Sequence, residues 1–175
     1  MSGSLRRSVA LGALLVQILI AGCGYRIVGI GGQLPGGITR VEVPVFENRT
    51  ARTDVGRVLT EDFINQLLGA AKLRLAASDE SQATIQGVIT GYKTEPITFD
   101  SKQKPLVNRL TILMDVSLVA RADNRLLFNE KAVSAYYDYS VKTDLQENDR
   151  LEEEALRSTS KLLSQKLVSL MLEGF

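Results

Sequence analysis

Two hydrophobic periods alternate along the chain. Residues 38–46 open with period two: Ile38, Arg40, Glu42 and Pro44 fall on one side, and Thr39, Val41, Val43 and Val45 on the other. That alternation, rich in β-branched residues, predicts a half-buried strand. Pro44 has no backbone donor, so the strand is expected at a sheet edge or ending there. A polar turn, Glu47-Asn48-Arg49-Thr50, follows. The period then lengthens. Val55, Leu59, Phe63 and Leu67 recur four apart and Val58, Ile64 and Leu68 join them, which predicts a helix over 54–68 with one apolar stripe. Thr53 suits its N-cap, Asp54 the positive end of its dipole and Gly69 its end.

Residues 73–75 read as a short extended piece and 78–82 as a polar turn. A second strand is expected over 83–95, stopping near Pro96, with Ile85, Gly87, Ile89 and Gly91 on its inward face. Two glycines there call for a close neighbour. After a polar loop over 98–104 comes the clearest strand, 106–121. Leu110, Ile112, Met114, Val116, Leu118 and Ala120 share one face; Arg109, Thr111, Asp115, Ser117 and Arg121 share the other with Leu113 and Val119. Asp123-Asn124 marks a hairpin turn. The return strand, 126–139, ends in Tyr136, Tyr137 and Tyr139. A long helix is expected over 146–172. Asp149 and Glu152 suit its capping box, and its stripe is Leu151, Ala155, Leu156, Leu162, Leu163, Leu167, Leu170 and Met171.

The order is β-α-β-β-β-α. With one apolar face per strand and one stripe per helix, the economical fold is α+β: a two-layer sandwich of a mostly antiparallel four-stranded sheet with two helices on one face. Leu113, Val119, Val133 and the tyrosines either leave an apolar patch on the other face, a partner site, or are covered by turns and sheet ends.

The amino terminus follows another logic. Arg6 and Arg7 precede an apolar stretch over 9–20, and Ile20-Ala21-Gly22-Cys23 closes it. A basic start, an apolar run of this length and small residues before the cut form a secretory leader. The run spans only about 18 Å as a helix, against the roughly 30 Å of a bilayer core. Cys23 directly after the small pair makes the segment resemble a bacterial lipoprotein signal. That resemblance implies cleavage before Cys23 and lipid on it. The expected organisation is a signal peptide over 1–22, a lipidated glycine-rich tether over 23–37 and one α+β domain over 38–175.

Composition narrows the chemistry. The chain has no histidine and no tryptophan, and Cys23 is its only cysteine. Histidine-dependent nucleophilic catalysis, ordinary zinc sites and an intrachain disulfide are thereby excluded. No paired-carboxylate motif stands out, so no enzyme is expected. Without a leader carrying Arg6 and Arg7, 19 basic residues face 20 acidic ones. Nucleic-acid binding, which needs a basic face, is not indicated.

Several phrases together resemble the LptE family of lipopolysaccharide-assembly lipoproteins. They are Gly22-Cys23-Gly24-Tyr25-Arg26, Leu34-Pro35-Gly36-Gly37-Ile38, Val41-Glu42-Val43-Pro44-Val45-Phe46-Glu47-Asn48-Arg49-Thr50 and Gln86-Gly87-Val88-Ile89-Thr90-Gly91-Tyr92. The resemblance implies a non-enzymatic outer-membrane lipoprotein. It would act as plug and assembly partner of the β-barrel LptD and help deliver lipopolysaccharide to the outer leaflet, with no cofactor. Gly24 fits that location, since aspartate there is the usual inner-membrane retention signal. The resemblance also implies basic residues near the loop between the second and third strands as lipopolysaccharide contacts. By position these are Lys93, Lys102, Lys104 and Arg109, with Lys142 before the last helix. The alternative for these side chains is simple solvation of a loop. Tyr136, Tyr137 and Tyr139 are candidates for the barrel wall, the alternative being sheet packing. The Val43–Thr50 phrase is also similar to curli-secretion and peptidoglycan-synthase-activator lipoproteins, which leaves a lipid-anchored periplasmic scaffold as the competing reading.

Overall fold

The computed structural model describes residues 32–173. The leader, Cys23 and the first part of the tether lie outside the described residues. A short 3-10 turn, Pro35–Gly37, leads into β1 (Arg40–Glu42) and β2 (Glu47–Asn48). Then come α1 (Val55–Ala70), β3 (Arg74–Leu75), a 3-10 turn at Ser78–Glu80, and three long strands: β4 (Ala83–Phe99), β5 (Pro105–Ala120) and β6 (Leu126–Ser140). α2 (Leu145–Glu173) closes the fold.

The class is α+β, but the sheet is mixed and six-stranded, where a mostly antiparallel four-stranded sheet was expected. Its order is β3-β1-β4-β5-β6, with β2 also on β4. The three long strands pair antiparallel, whereas β1 and β2 run parallel to β4 and β3 runs parallel to β1. Pro44 explains the extra strand. It interrupts the segment expected as one strand, so β1 and β2 pair separately along the same side of β4. The extended piece after α1 supplies the sixth strand.

Both helices cover one sheet face in a single core. Ile85 and Ile89 of β4 and Leu110, Ile112, Met114 and Leu118 of β5 meet Leu59, Phe63 and Leu67 of α1 and Leu156, Leu163 and Leu167 of α2; all are fully buried. Gly87 lies on this face as expected. A β-carbon there would fall 2.6 Å from the Phe46 ring and 2.7 Å from the Met114 methyl. Gly91 does not lie there. The register shifts between Ile89 and Gly91, setting Gly91 opposite Leu113 on the open face and Tyr92 opposite Ile112 on the covered one. Val133 also leaves the open face: a second shift sets it opposite Met114, and it is buried. At that bulge Ala132 has φ 53°, and its N–H donates to Asp115 Oδ1 at 2.8 Å.

The helix starts differ from expectation. Asp54, not Thr53, is the N-cap of α1, with no side-chain capping bond. Asp144 caps α2 instead of Asp149: its Oδ1 accepts the Glu147 N–H at 2.9 Å, one turn earlier. The α2 stripe is less aliphatic than its leucines suggest. Leu162 is 45% exposed, while Thr159, Ser160 and Ser164 are fully buried.

The phrase that carried the resemblance builds the corner from β2 to α1. Asn48 Oδ1 accepts both the N–H and the hydroxyl of Thr50, and Asn48 Nδ2 donates to the Arg52 carbonyl. The Phe46 N–H donates to Thr60 Oγ1 in α1 at 2.9 Å. Arg52 then spans to α2, with Nε on Asp54 at 2.7 Å and Nη2 on Glu153 at 2.7 Å. Glu152 accepts the Tyr92 hydroxyl at 3.1 Å, closing the network onto β4.

Candidate functional site at the hairpin end

β4 and β5 outrun the helical layer. From Glu95 to Phe99 every residue of β4 is exposed, as are Pro105 and Leu106 of β5. Pro96 sits inside β4, not at its end. The register is shifted there and only β5 pairs with it, so the missing N–H is tolerated.

The expected loop shrinks to 100–104. Asp100 organises it: Oδ1 accepts the N–H groups of Lys102 and Lys104, each at 2.8 Å, and the Asp100 N–H donates to the Lys104 carbonyl. Gln103 takes φ 62° at the tip. Lys142 comes to the base of the same loop, since the Val141 N–H donates to the Leu106 carbonyl at 2.9 Å. Its own backbone is pinned by Asn148, whose Oδ1 accepts the Lys142 N–H at 2.7 Å and whose Nδ2 donates to the Lys142 carbonyl. The fold therefore gathers Lys102, Lys104 and Lys142 at one end of the sheet. None of their ammonium groups has an ion-pair partner among the described residues. Exposed apolar side chains share the arm: Ile97 at 42%, Phe99 at 47% and Leu106 at 45%.

Lys93 and Arg109 lie elsewhere, on the open face. Lys93 Nζ contacts Glu95 at 2.7 Å. Arg109 makes a two-point pair with Asp138, 2.7 and 2.9 Å, and its guanidinium lies 3.9 Å over the Tyr136 ring. The hydrogen bond between them raises the Arg109 pKa and holds the Asp138 carboxyl below its ordinary value. Arg109 is already satisfied within the sheet, unlike Lys102, Lys104 and Lys142 at the hairpin end. Sequence spacing did not reveal Asp138, which only the β5–β6 register sets opposite Arg109.

The three tyrosines do not form one wall. Tyr136 lies on the open face under Arg109, 54% exposed. Tyr137 and Tyr139 lie on the covered face, opposite Leu110 and Asn108. Tyr139 is buried at 7%, and burial pushes its phenol pKa up.

The fold and this arrangement can be set beside known proteins. A family model described as LptE, lipopolysaccharide-assembly, matches residues 38–171. The chain belongs to the LptE family. That match spans β1 through nearly all of α2, so it includes the hairpin end and the Arg52 network. LptE is a family of lipopolysaccharide assembly, and its role is non-enzymatic. No curated protein sequence matches the chain significantly. Among solved structures, lipoprotein B from Nitrosomonas europaea is similar with a TM-score of 0.60 and 17% identity, covering 86% of this chain and 92% of that one. A lipoprotein-like protein from Caulobacter crescentus gives 0.56 at 9% identity, covering 77% and 89%. A subunit of the PelC dodecamer from Paraburkholderia phytofirmans gives 0.50 at 14% identity, covering 82% and 94%. At these identities the likeness is one of fold.

Proposed function

We propose that this LptE-family chain is an outer-membrane lipoprotein, lipidated on Cys23, that acts as plug and assembly partner of an LptD-type β-barrel. It helps deliver lipopolysaccharide to the outer leaflet and is not an enzyme. The observation that carries this reading is the family match over 38–171, which includes the corner motif and the hairpin end together. The domain reading goes with it: a leader over 1–22, a tether over 23–37 and one functional domain after it.

The hairpin end suits the ligand. A lipopolysaccharide offers phosphates beside acyl chains. Lys102, Lys104 and Lys142 offer ammonium groups that form no close ion pair among the described residues, and Ile97, Phe99 and Leu106 offer apolar surface on the same arm. Ammonium–phosphate contacts are charge-assisted hydrogen bonds. Lys93 and Arg109 lie on the open face already paired with Glu95 and Asp138, and Tyr136 provides aromatic surface toward a partner there.

Lipopolysaccharide binding by the purified full chain tests the site. Lys102→Glu with Lys104→Glu is expected to weaken binding on the order of tenfold or more, given about 1.5–3 kcal/mol per hydrogen bond to a charged group. Added salt weakens the parent in the same direction. Unchanged affinity removes the hairpin end from the ligand site.

A further inference from the structure

One cluster of cations lies apart from the hairpin end. Arg40, Lys72 and Arg74, with Thr39 and Leu73, line an open cleft of about 480 Å³ at the β3 edge of the sheet. Parallel pairing sets Arg40 of β1 beside Arg74 of β3. Lys72 precedes Arg74 by two positions around half-buried Leu73, so all three cations are exposed. Arg40 Nε donates to the Glu80 carbonyl at 3.0 Å, yet no carboxylate forms an ion pair with any of the three among the described residues. Asp79 and Glu80 line a neighbouring cleft that shares Arg40; no carboxylate lines this one. Leu75, 45% exposed, follows directly.

A second observation is where the chain enters the fold. Gly32 bridges to Ala71, the residue before Lys72. Nine positions separate Gly32 from Cys23, and nine residues reach at most about 30 Å when fully extended. A lipid on Cys23 would hold the Lys72 edge within that distance of the bilayer. The hairpin tip is far from it: β4 runs from Ala83, opposite Val41, to Phe99, about 50 Å at a strand's rise of roughly 3.3 Å per residue.

We propose that the Arg40–Lys72–Arg74 edge docks on the anionic phospholipid surface that holds the Cys23 lipid, fixing how the fold stands relative to the membrane. The proposal rests on the reading of Cys23 as lipidated and adds to it a second, electrostatic contact. A lipid chain paired with a basic patch is a two-signal anchor. Each cation near such a surface favours the docked state about fivefold.

The chain has no tryptophan, so Leu75→Trp is a unique reporter beside the patch. The lipidated mature chain carrying it is placed on vesicles of phosphatidylcholine alone or mixed with phosphatidylglycerol. Its emission is expected to shift to the blue only on the mixed vesicles and to return in high salt. Lys72→Glu with Arg74→Glu removes the shift, since loss of two cations alone lowers the docked-to-undocked ratio about 25-fold and the two new carboxylates are repelled as well. An equal shift on neutral vesicles, a shift that survives both reversals, or no shift at all overturns the proposal. Reversal by inorganic phosphate beyond that of chloride at matched ionic strength also overturns it, in favour of a discrete phosphate site. Flotation with neutral vesicles reads the anchor separately. Failure there refutes lipidation, while salt-sensitive flotation with anionic vesicles alone still supports the patch.

Discussion

The same substitution should have opposite signs at two glycines. Gly87→Ala places a β-carbon 2.6 and 2.8 Å from two atoms of the Phe46 ring and 2.7 Å from the Met114 methyl. Ordinary carbon contacts lie near 3.5–4.0 Å, so ring or strand must retreat by about 1 Å. Phe46 cannot retreat cheaply. It is 2% exposed, its ring packs on Phe63 with centroids 5.3 Å apart, and its N–H is held by Thr60. Overpacking of this kind costs about 1–3 kcal/mol, partly offset by about 0.4–1 kcal/mol from a stiffer unfolded chain. A net loss of about 1–2 kcal/mol remains. Gly69→Ala, in the last turn of α1, meets nothing within 4 Å. It should gain up to about 1 kcal/mol from helix propensity. Urea unfolding of both variants measures the pair. Combining Gly87→Ala with Phe46→Leu should recover part of the loss, by more than about 0.5 kcal/mol in a double-mutant cycle. A neutral or stabilising Gly87→Ala, or an absent coupling, would refute the packing of β4 against the corner.

Two further outcomes follow from polar groups inside the fold. Ser164 is fully buried in α2 and its hydroxyl has no hydrogen-bond partner among the described residues; Ser164→Ala should therefore stabilise the fold by about 1 kcal/mol, read by the same unfolding curves. Burial first, then the Glu152 carboxylate, raises the Tyr92 phenol above its ordinary 10.0. The unfolded chain releases that proton near pH 10 while the folded chain keeps it. This stabilisation is thus whole below pH 10 and is lost as pH rises toward the folded value. Tyr92→Phe should flatten the alkaline limb of a stability–pH profile, and an unchanged limb would count against the burial of the Tyr92 phenol beside Glu152.

Much of the fold was legible in the hydrophobic pattern. The periods of α1, β5 and α2 are long and clean, and their elements lie within one or two residues of expectation. What the pattern missed were single-residue events. A shift near Thr90 exchanges the faces of Gly91 and Tyr92, and another near Ala132 turns Val133 inward. Side-chain period carries no mark of either. Pro44 announced an interruption, but not that both halves would pair with β4 in parallel. Asp144 was hidden because Asp149 and Glu152 made an equally plausible capping pair.

The candidate site divided in the same way. Lys102 and Lys104 followed from their place in a loop, and Lys142 from its place before the last helix. Their meeting at one end depended on the β5–β6 register. So did the Arg109–Asp138 pair, from residues 29 positions apart. The Arg40, Lys72 and Arg74 cleft went unseen because β1 and β3 meet only through a parallel pairing across α1. The alternation of Lys72 and Arg74 about Leu73 was the one local signal of it.

The central claim concerns a partner, and copurification tests it most directly. The tagged full chain, expressed at native level and extracted from outer membranes in mild detergent, should come out with a large β-barrel protein in a defined complex. Recovery as a lone monomer from the same membranes would contradict the account.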